Sequence, residues 1–395
     1  MRWASAVSEK FSLADSVAEA ASQVRAELGG AAPDLALVFV SPHHGPDFDD
    51  LPHMLAEALE AKALIGCSGG GVIGAGTEVE ERTGLSLTVA NLPGVELTPF
   101  HVVDGGFPDP DAGPTAWEDL IGVTADKEPQ FVVLPDPFSF RADSFLSGLD
   151  YAFPGSAKIG GLASGGQQPG ANALFIGDRV HRQGAVGIAM HGDIRVDTVV
   201  AQGCRPVGKS VVVTKVERNI LFEADDKPLI EVLREVFEAS NQRDQQLINR
   251  ALHLGVVTDP LKDEYKPGDF LIRNVLGLDR ESGGLIVGEL LREGQLVQFH
   301  VRDADTAAED LQTMLHQYAT NSRPESASGA LLFSCLGRGQ HLFGRPNHDT
   351  DLFLKEVGPL PLGGFFCNGE IGRVGPSTYL HGFTSSFGVF SPKSS

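Results

Sequence analysis

The residues of this chain whose types could do chemistry are gathered in four short glycine-rich loops. The loops follow apolar runs of strand length and span 67–71, 163–166, 336–339 and 367–372. Glycine has no Cβ, so backbone N–H groups in such loops can approach a small ligand closely. We predict a ligand site here, and its candidate residues are Cys67, Ser68, Gly69, Asp136, Ser164, Cys335, Arg338, Asn368 and Glu370. The alternative for each loop is a tight, packed turn.

Arg338 and Glu370 are the charged candidates, and they indicate what a ligand would be. The planar fork of an arginine can hold a carboxylate in two hydrogen bonds, and a glutamate can bind an ammonium group. Both side chains facing one cavity would suit a zwitterionic amino acid. The alternative is that Arg338 and Glu370 pair with each other and lock the turn.

Cys67 and Cys335 each stand between a strand and a glycine-rich loop, as the nucleophile of a strand-to-helix elbow does. His341 or His381 could then serve as the base. However, the chain contains no G-x-S-x-G motif, and a cysteine at a strand end is usually a small buried apolar residue. The residues therefore favour binding over catalysis, and we predict no catalytic residue. A cysteine-dependent enzyme acting on a small metabolite remains the alternative.

His43 and His44, followed by Asp47, Asp49 and Asp50, have the composition of a metal site. The composition of a polar loop explains the same residues equally well. Asp136 has a comparable alternative, because an aspartate before a proline often caps a turn. We predict neither a metal nor a cofactor.

The apolar pattern that positions the loops occurs more than once. A buried strand at 35–40 is followed by a polar loop, a helix, a second strand, a glycine-rich loop and a third strand. The same order returns after 94 residues, since Gly160 matches Gly66 and 160 − 66 = 94, and a third copy begins at Leu331. The repetition predicts an α/β fold, α+β in part, with two sheet-based lobes built from repeated β-α-β-β units.

Spacing and capping signals predict the other elements. Helices are expected at 12–28, 50–62, 143–153, 228–237, 307–319 and 349–357. Asp305 or Thr306 would cap the fifth of these helices, and residues 238–253 could extend the fourth. Strands at 269–276, 284–289 and 296–301 read as an antiparallel meander. The predicted divisions are an N-terminal helix in 1–30, domains at 31–205 and 206–390, and a tail at 391–395.

Composition limits the class of partner. The 395 residues carry a formal net charge of −21, which argues against nucleic acid and against anionic membrane surfaces. The four cysteines include no C-x-x-C pair, as expected of reduced thiols in the cytoplasm. The N-terminus has no apolar core of a secretory signal, and apolar runs are too short to span a bilayer. We expect a cytoplasmic protein without membrane insertion.

The motifs resemble those of the FIST family, whose two parts are the FIST N and FIST C domains. The N-terminal match lies in LALVFVSPHHG, IGCSGGGVIGAGTEVEERTGLSLTVANLPG and IGGLASGG; the C-terminal match lies in FLIRNVLGLD, VQFHVRDADTAAEDL, LLFSCLGRG and GGFFCNGEIGRVG with TYLHGFTSSFGVF. The resemblance covers nearly the whole chain, and it makes 31–205 FIST N-like and 206–390 FIST C-like.

The resemblance implies an intracellular sensory role in signal transduction, with a small ligand such as an amino acid. No kinase or F-box segment is apparent, so signalling would require a separate protein partner. The third alternative, beside ligand sensing and the enzyme, is a scaffold that recruits proteins without any ligand.

Overall fold

The computed structural model describes residues 1–109, 111–259, 262, 264–265, 268–279 and 282–393, and it has the mixed α/β class that the repeats predicted. The chain folds into two compact, sheet-based units. Unit 1 contains Met1–Val200 and Met314–Ser395, and unit 2 contains Ala201–Thr313. In sequence, unit 2 is therefore an insertion into unit 1. No helix within the described ranges has both the length and the apolar composition needed to cross a bilayer.

The first repeat begins with a strand that the sequence pattern did not predict. Its elements are β1 (Arg2–Ser8), α1 (Leu13–Glu27), β2 (Leu35–Val40), α2 (Leu51–Leu59), β3 (Ala63–Ser68), β4 (Gly71–Gly74), β5 (Thr77–Glu80) and β6 (Leu85–Asn91). Helix α1 agrees with the predicted helix at 12–28. The Ser12 hydroxyl oxygen accepts the Asp15 N–H at 3.3 Å, which satisfies one of the exposed donors at the helix start.

The second repeat has the same order of elements. They are β7 (Val95–Val102), α3 (Pro114–Ile121), β8 (Gln130–Pro135), α4 (Ala142–Ala152), β9 (Lys158–Gly161), β10 (Leu174–Ile176), β11 (Arg179–His181) and β12 (Ala185–Gly192). The third repeat opens with β13 (Arg195–Ala201) before the insertion. The sequence spacing of 94 residues therefore corresponds to a repeated structural unit.

Unit 2 contributes a seven-stranded sheet and two helices. Its elements are β14 (Arg205–Glu217), β15 (Ile220–Ala224), β16 (Lys227–Pro228), α5 (Leu229–Ala239), α6 (Gln242–Arg250), β17 (Leu252–Val257), β18 (Phe270–Leu278), β19 (Leu285–Val287) and β20 (Leu296–Val301). The predicted meander is only half right, because β18 pairs with β19 but β20 pairs with β14 and β17. The predicted extension of the fourth helix also stops early, since α6 is a separate helix capped by Asn241.

The chain then completes the third repeat. Its elements are α7 (Ala304–Asn321), β21 (Gly329–Cys335), α8 (Gln340–Phe343), α9 (His348–Glu356), β22 (Leu362–Cys367), β23 (Glu370–Val374), β24 (Ser377–His381) and β25 (Ser385–Ser391). Asp303 starts α7, in place of the predicted Asp305 or Thr306. Its carboxylate accepts the Thr306 N–H at 2.9 Å, the third N–H after the cap. Of the predicted tail at 391–395, residues 394–395 lie outside the described residues.

Each repeat supplies four consecutive strands of one six-stranded sheet. The strand orders are β1-β6-β2-β3-β10-β11, β7-β12-β8-β9-β23-β24 and β13-β25-β21-β22-β4-β5. The last two strands of every sheet are a hairpin that belongs to another repeat. The hairpin of repeat 1 joins the sheet of repeat 3, that of repeat 2 joins repeat 1, and that of repeat 3 joins repeat 2. This exchange links the three repeats in a closed cycle and covers the edges of β3, β9 and β22.

Close backbone approach explains a glycine that occupies the same position in every repeat. At Gly160, an ideal Cβ would lie 1.9 Å from the carbonyl oxygen of Val133, and at Gly364 it would lie 1.8 Å from that of Leu332. Gly66 is in the same situation on β3. Any side chain at these positions would force the parallel strands apart, so the glycines that precede the loops are required by packing.

Candidate functional site

The glycine-rich loops of the three repeats meet in unit 1 and are connected by hydrogen bonds through Ser164. The Ser164 hydroxyl donates to the Phe366 carbonyl oxygen at 2.5 Å and accepts the Gly70 N–H at 2.8 Å. Its backbone N–H donates to the Ser68 carbonyl oxygen at 3.1 Å. One buried side chain of repeat 2 therefore joins the loop of repeat 1 to the strand that precedes the loop of repeat 3.

Ser68 and Asp136 belong to the same polar network through Asn172. The Asn172 side-chain oxygen lies 3.4 Å from the Ser68 hydroxyl, and its side-chain nitrogen donates to an Asp136 oxygen at 3.0 Å. The other Asp136 oxygen accepts the Ser139 hydroxyl at 2.6 Å and the Phe138 N–H at 3.2 Å. Asp136 thus caps the turn after β8, which is the alternative weighed for it from the sequence.

We call the place where the loops 67–71, 163–166, 336–339 and 367–372 meet the loop crossing. Asn368 is its exposed polar residue. Its backbone N–H donates to the Leu162 carbonyl at 3.2 Å, and its amide nitrogen lies 3.4 Å from the Ala163 carbonyl oxygen. Gly69 is buried, and its N–H donates to the Val40 carbonyl at 2.9 Å. The side chain of Asn368 is therefore the group that the crossing presents to solvent.

Cys67 does not join this polar network. It is fully buried in an apolar cluster with Phe39 and Phe365, whose rings stack with centroids 4.7 Å apart. Burial raises the pKa of its thiol well above the usual value. The environment is that of a structural cysteine.

Arg338 pairs with Asp349, and the predicted alternative of an Arg338–Glu370 pair is wrong. Both side chains are buried, and the guanidinium donates from Nε at 2.8 Å and from a terminal nitrogen at 2.9 Å to the two carboxylate oxygens. Asp349 also accepts the hydroxyls of Ser334 and Ser385. It stands in the first turn of α9, so helix formation itself brings it to Arg338.

The pKa of Asp349 reflects two opposing effects. Burial by itself would raise it, but the charge of Arg338 and hydrogen bonds from His348, Arg338 and Ser385 outweigh burial and hold the pKa below its usual range. Nearby Glu78 behaves in the opposite way. Burial first, and then the negative charge of Asp349, raise the pKa of Glu78 to about 8. The pair is thus one ionised and one neutral carboxyl group at pH 7.

Glu370 is a second neutral carboxyl group, placed beside a pair of cysteines. Burial is the largest cause that raises its pKa, to about 8. One of its oxygens accepts the Thr384 N–H at 2.9 Å, and the other lies 3.5 Å from the Cys367 sulfur. Cys335 is the register partner of Cys367 on the neighbouring strand. Cys335, Cys367 and Glu370 therefore form one cluster at the ends of β21 and β22.

Unit 2 contains a separate cavity of about 480 Å³. Its walls are mainly apolar side chains of α5, α6, β18 and β19, among them Leu233, Phe237 and Leu285. Arg234 and Arg250 are the charged residues of the lining, and neither forms an ion pair with another described residue. A cavity of this size with a few polar groups is typical of small-molecule sites.

Family models match most of this chain. The FIST N domain model matches residues 34–227, and the FIST C domain model matches residues 230–373. The chain belongs to the FIST family. The resemblance inferred from the glycine-rich motifs is thereby confirmed. FIST domains are associated with sensory signal transduction.

Mycobacterial relatives match this FIST protein over nearly its full length. An uncharacterized protein of Mycobacterium tuberculosis strain H37Rv is 36% identical over 375 residues, which are 94% of this chain and 95% of the relative. An uncharacterized protein of Mycobacterium bovis is 33% identical over 374 residues, 94% of each chain. An F-box/LRR-repeat protein of Arabidopsis thaliana is 37% identical over 94 residues, which are 22% of this chain and 17% of that protein.

Sequence reasoning about this FIST protein missed the partners of the predicted residues. Asn172, Asp349 and Thr384 were not named as site residues, although each holds a predicted residue in place. Ser385, also not named, holds Asp349. Only Asp349 had a local signal, because it is an acidic residue at the start of a predicted helix. Among the residues that the structure describes, no group of three His, Cys, Asp or Glu side chains is arranged to hold a metal ion.

Proposed function

We propose that this FIST protein is a sensory module that binds a small carboxylate-bearing ligand with an apolar body, such as an amino acid. It would act through a separate signalling protein. The observation that carries the proposal is the cavity of unit 2. Its volume of about 480 Å³ is within the usual range of small-molecule pockets.

Charge complementarity selects the class of ligand. The protein has a net charge of −21, yet the charged groups lining this cavity are Arg234 and Arg250. Arginine binds carboxylates through parallel hydrogen bonds, and Ile230, Leu233 and Phe237 supply apolar surface beside it. A ligand with a carboxylate group and an apolar side chain would complement both the arginines and the apolar residues of the cavity.

The loop crossing of unit 1 is the other location we propose for ligand contacts. Its exposed side chains are the Asn368 amide and Leu336. The other candidates, Cys67, Ser68, Gly69, Asp136 and Ser164, are buried and contact protein groups. A ligand that reached Arg338 would have to compete with Asp349 for the guanidinium. The crossing therefore offers fewer accessible groups than the cavity does.

Titration calorimetry with the standard amino acids and straight-chain carboxylates tests the proposal. Replacing Arg234 or Arg250 by Met should weaken binding about tenfold or more, since each removes a charged hydrogen-bond donor. Leu233→Trp should abolish binding by filling the cavity. Arg292→Met is the matched control, because Arg292 is an exposed arginine of unit 2 outside the cavity lining.

The unit 1 location has its own pair of variants. Loss of binding in Asn368→Ala, but not in the exposed control Asn321→Ala, would move the ligand to the loop crossing and overturn the cavity assignment. If none of the compounds gives a heat of binding, the proposal of ligand sensing is overturned. Capture of the same signalling protein with and without ligand would favour the scaffold alternative.

A further inference from the structure

Cys335 and Cys367 lie next to each other on neighbouring strands. They are the last residues of β21 and β22 and are register partners in the parallel ladder. Neighbouring strands are about 4.8 Å apart, and register partners point to the same face of a sheet. Disulfides join residues whose Cα atoms are about 4.4–6.8 Å apart. The backbone thus holds these two thiols within the range of a covalent bond.

Glu370 lies beside this pair of thiols. The Cys367 sulfur is 3.5 Å from one of the carboxyl oxygens of Glu370, and Cys335 is the register partner of Cys367. The Thr384 N–H, which donates to the other oxygen at 2.9 Å, fixes the orientation of the carboxyl group. A carboxyl group therefore lies against one thiol of this neighbouring pair.

Accessibility distinguishes the two cysteines. Cys335 is partly exposed and is followed by the exposed Leu336, whereas Cys367 is completely buried. An external reagent can therefore approach Cys335 first, with Cys367 positioned behind it. Cys67 and Cys204 are both buried, so neither offers the same access.

We propose that Cys335 and Cys367 are a redox-active dithiol, which a small-molecule disulfide oxidises to an intramolecular disulfide with Glu370 as proton carrier. This proposal does not depend on ligand binding in the cavity of unit 2. It makes the loop crossing a point of reversible covalent modification.

The exchange balances in two steps. Near pH 8 a substantial fraction of Glu370 is ionised, and in this form Glu370 takes the Cys335 proton. The Cys335 sulfur attacks one sulfur of the small disulfide, and the other half leaves as a thiolate that regains the proton from Glu370. Cys367 then gives its proton to Glu370, and its sulfur attacks the Cys335 sulfur. The second half leaves as a thiol with that proton. Two protein thiols are oxidised, and one small disulfide is reduced to two thiols.

The chemistry of the carboxyl group suits this transfer. Burial raises the pKa of Glu370 to about 8, close to the ordinary value of a cysteine thiol of about 8.5. Burial also raises the pKa of Cys367 well above its usual value, so this thiol needs a neighbouring acceptor to become a nucleophile. An ordinary solvated carboxylate would be a much weaker base for either thiol.

Peptide mapping of the wild-type protein tests the proposal directly. The protein is incubated with oxidised glutathione, unfolded, alkylated and digested. We expect a peptide pair joined through Cys335 and Cys367, which dithiothreitol separates again. A glutathione adduct confined to Cys335, a bond involving Cys67 or Cys204, or unmodified thiols would each overturn the proposal.

Variants test the order of events and the carboxyl group. Cys367→Ser should trap glutathione on Cys335, Cys335→Ser should take up none, and Cys204→Ser should behave like wild type. Glu370→Gln, which keeps the shape of the side chain, should slow oxidation roughly a hundredfold. An unchanged rate in Glu370→Gln would overturn the proton-carrier role. The peptide mapping of the wild-type protein needs no variant. It therefore still decides the disulfide proposal if one of the variants fails to fold.

Discussion

The pairing of Arg338 with Asp349 leads to a quantitative prediction for the variant Arg338→Met. Arg338 is 0% exposed and makes two hydrogen bonds, of 2.8 and 2.9 Å, to a carboxylate that is itself 2% exposed. Methionine retains apolar bulk but leaves Asp349 as a buried charge without its arginine. Breaking a buried ion pair from one side costs about 3–5 kcal/mol. We expect a loss of that size in the free energy of unfolding.

The same segment provides the control for this prediction. Arg345 and Asp351 form an ion pair of 2.6 Å, but the two side chains are 47% and 51% exposed. Exposed pairs contribute about 0–1 kcal/mol, so Arg345→Met should change stability by no more than that. The comparison keeps the residue types and the local sequence and changes only the burial.

Urea unfolding at pH 7 followed by tryptophan fluorescence measures both variants. The chain has two tryptophans, Trp3 and Trp117, and both lie in unit 1 with the ion pair. In the double variant Arg338→Met with Asp349→Asn, much of the lost stability should return, because the buried charge is gone. Equal effects of Arg338→Met and Arg345→Met would refute the reasoning that burial makes this pair costly to break.

Two further predictions concern stability, beside those for the cavity and the dithiol. Burial raises the pKa of Glu370 to about 8, so the folded state keeps a proton that the unfolded state releases near pH 4.3. The free energy of unfolding of the wild-type protein should therefore fall as the pH rises from about 5 to 8. This fall should be steeper than that of Glu370→Gln by up to about 1.4 kcal/mol per pH unit. Urea unfolding at several pH values measures it, and the same pH dependence in the two proteins would contradict the prediction. Gly160→Ala should lower the free energy of unfolding by about 3 kcal/mol or more, because its Cβ would lie 1.9 Å from the Val133 carbonyl oxygen. Gly105 has open space around it, so Gly105→Ala should leave the thermal unfolding temperature nearly unchanged.

The local elements were largely predictable from the sequence. Apolar runs such as 35–40 and helical spacing such as 12–28 depend on neighbouring residues only, and both elements are present. The repetition around Gly66 and Gly160 was visible because the same packing demand keeps a glycine in each copy. The first strand was missed, because β1 is defined by its pairing with β6, which lies far away in the sequence.

Long-range partners were decided by the tertiary structure. The sequence placed Arg338 and Glu370 in two glycine-rich loops, but it could not show that Arg338 binds Asp349 and that Glu370 contacts the Cys367 thiol. These contacts depend on the order of strands in each sheet, and on the hairpin of each repeat that joins the sheet of another repeat. Sequence alone therefore determined the α/β repeats of this FIST protein, since their signals are local. The network at the loop crossing and the cavity of unit 2 required the fold, because their residues come together only through contacts distant in the chain.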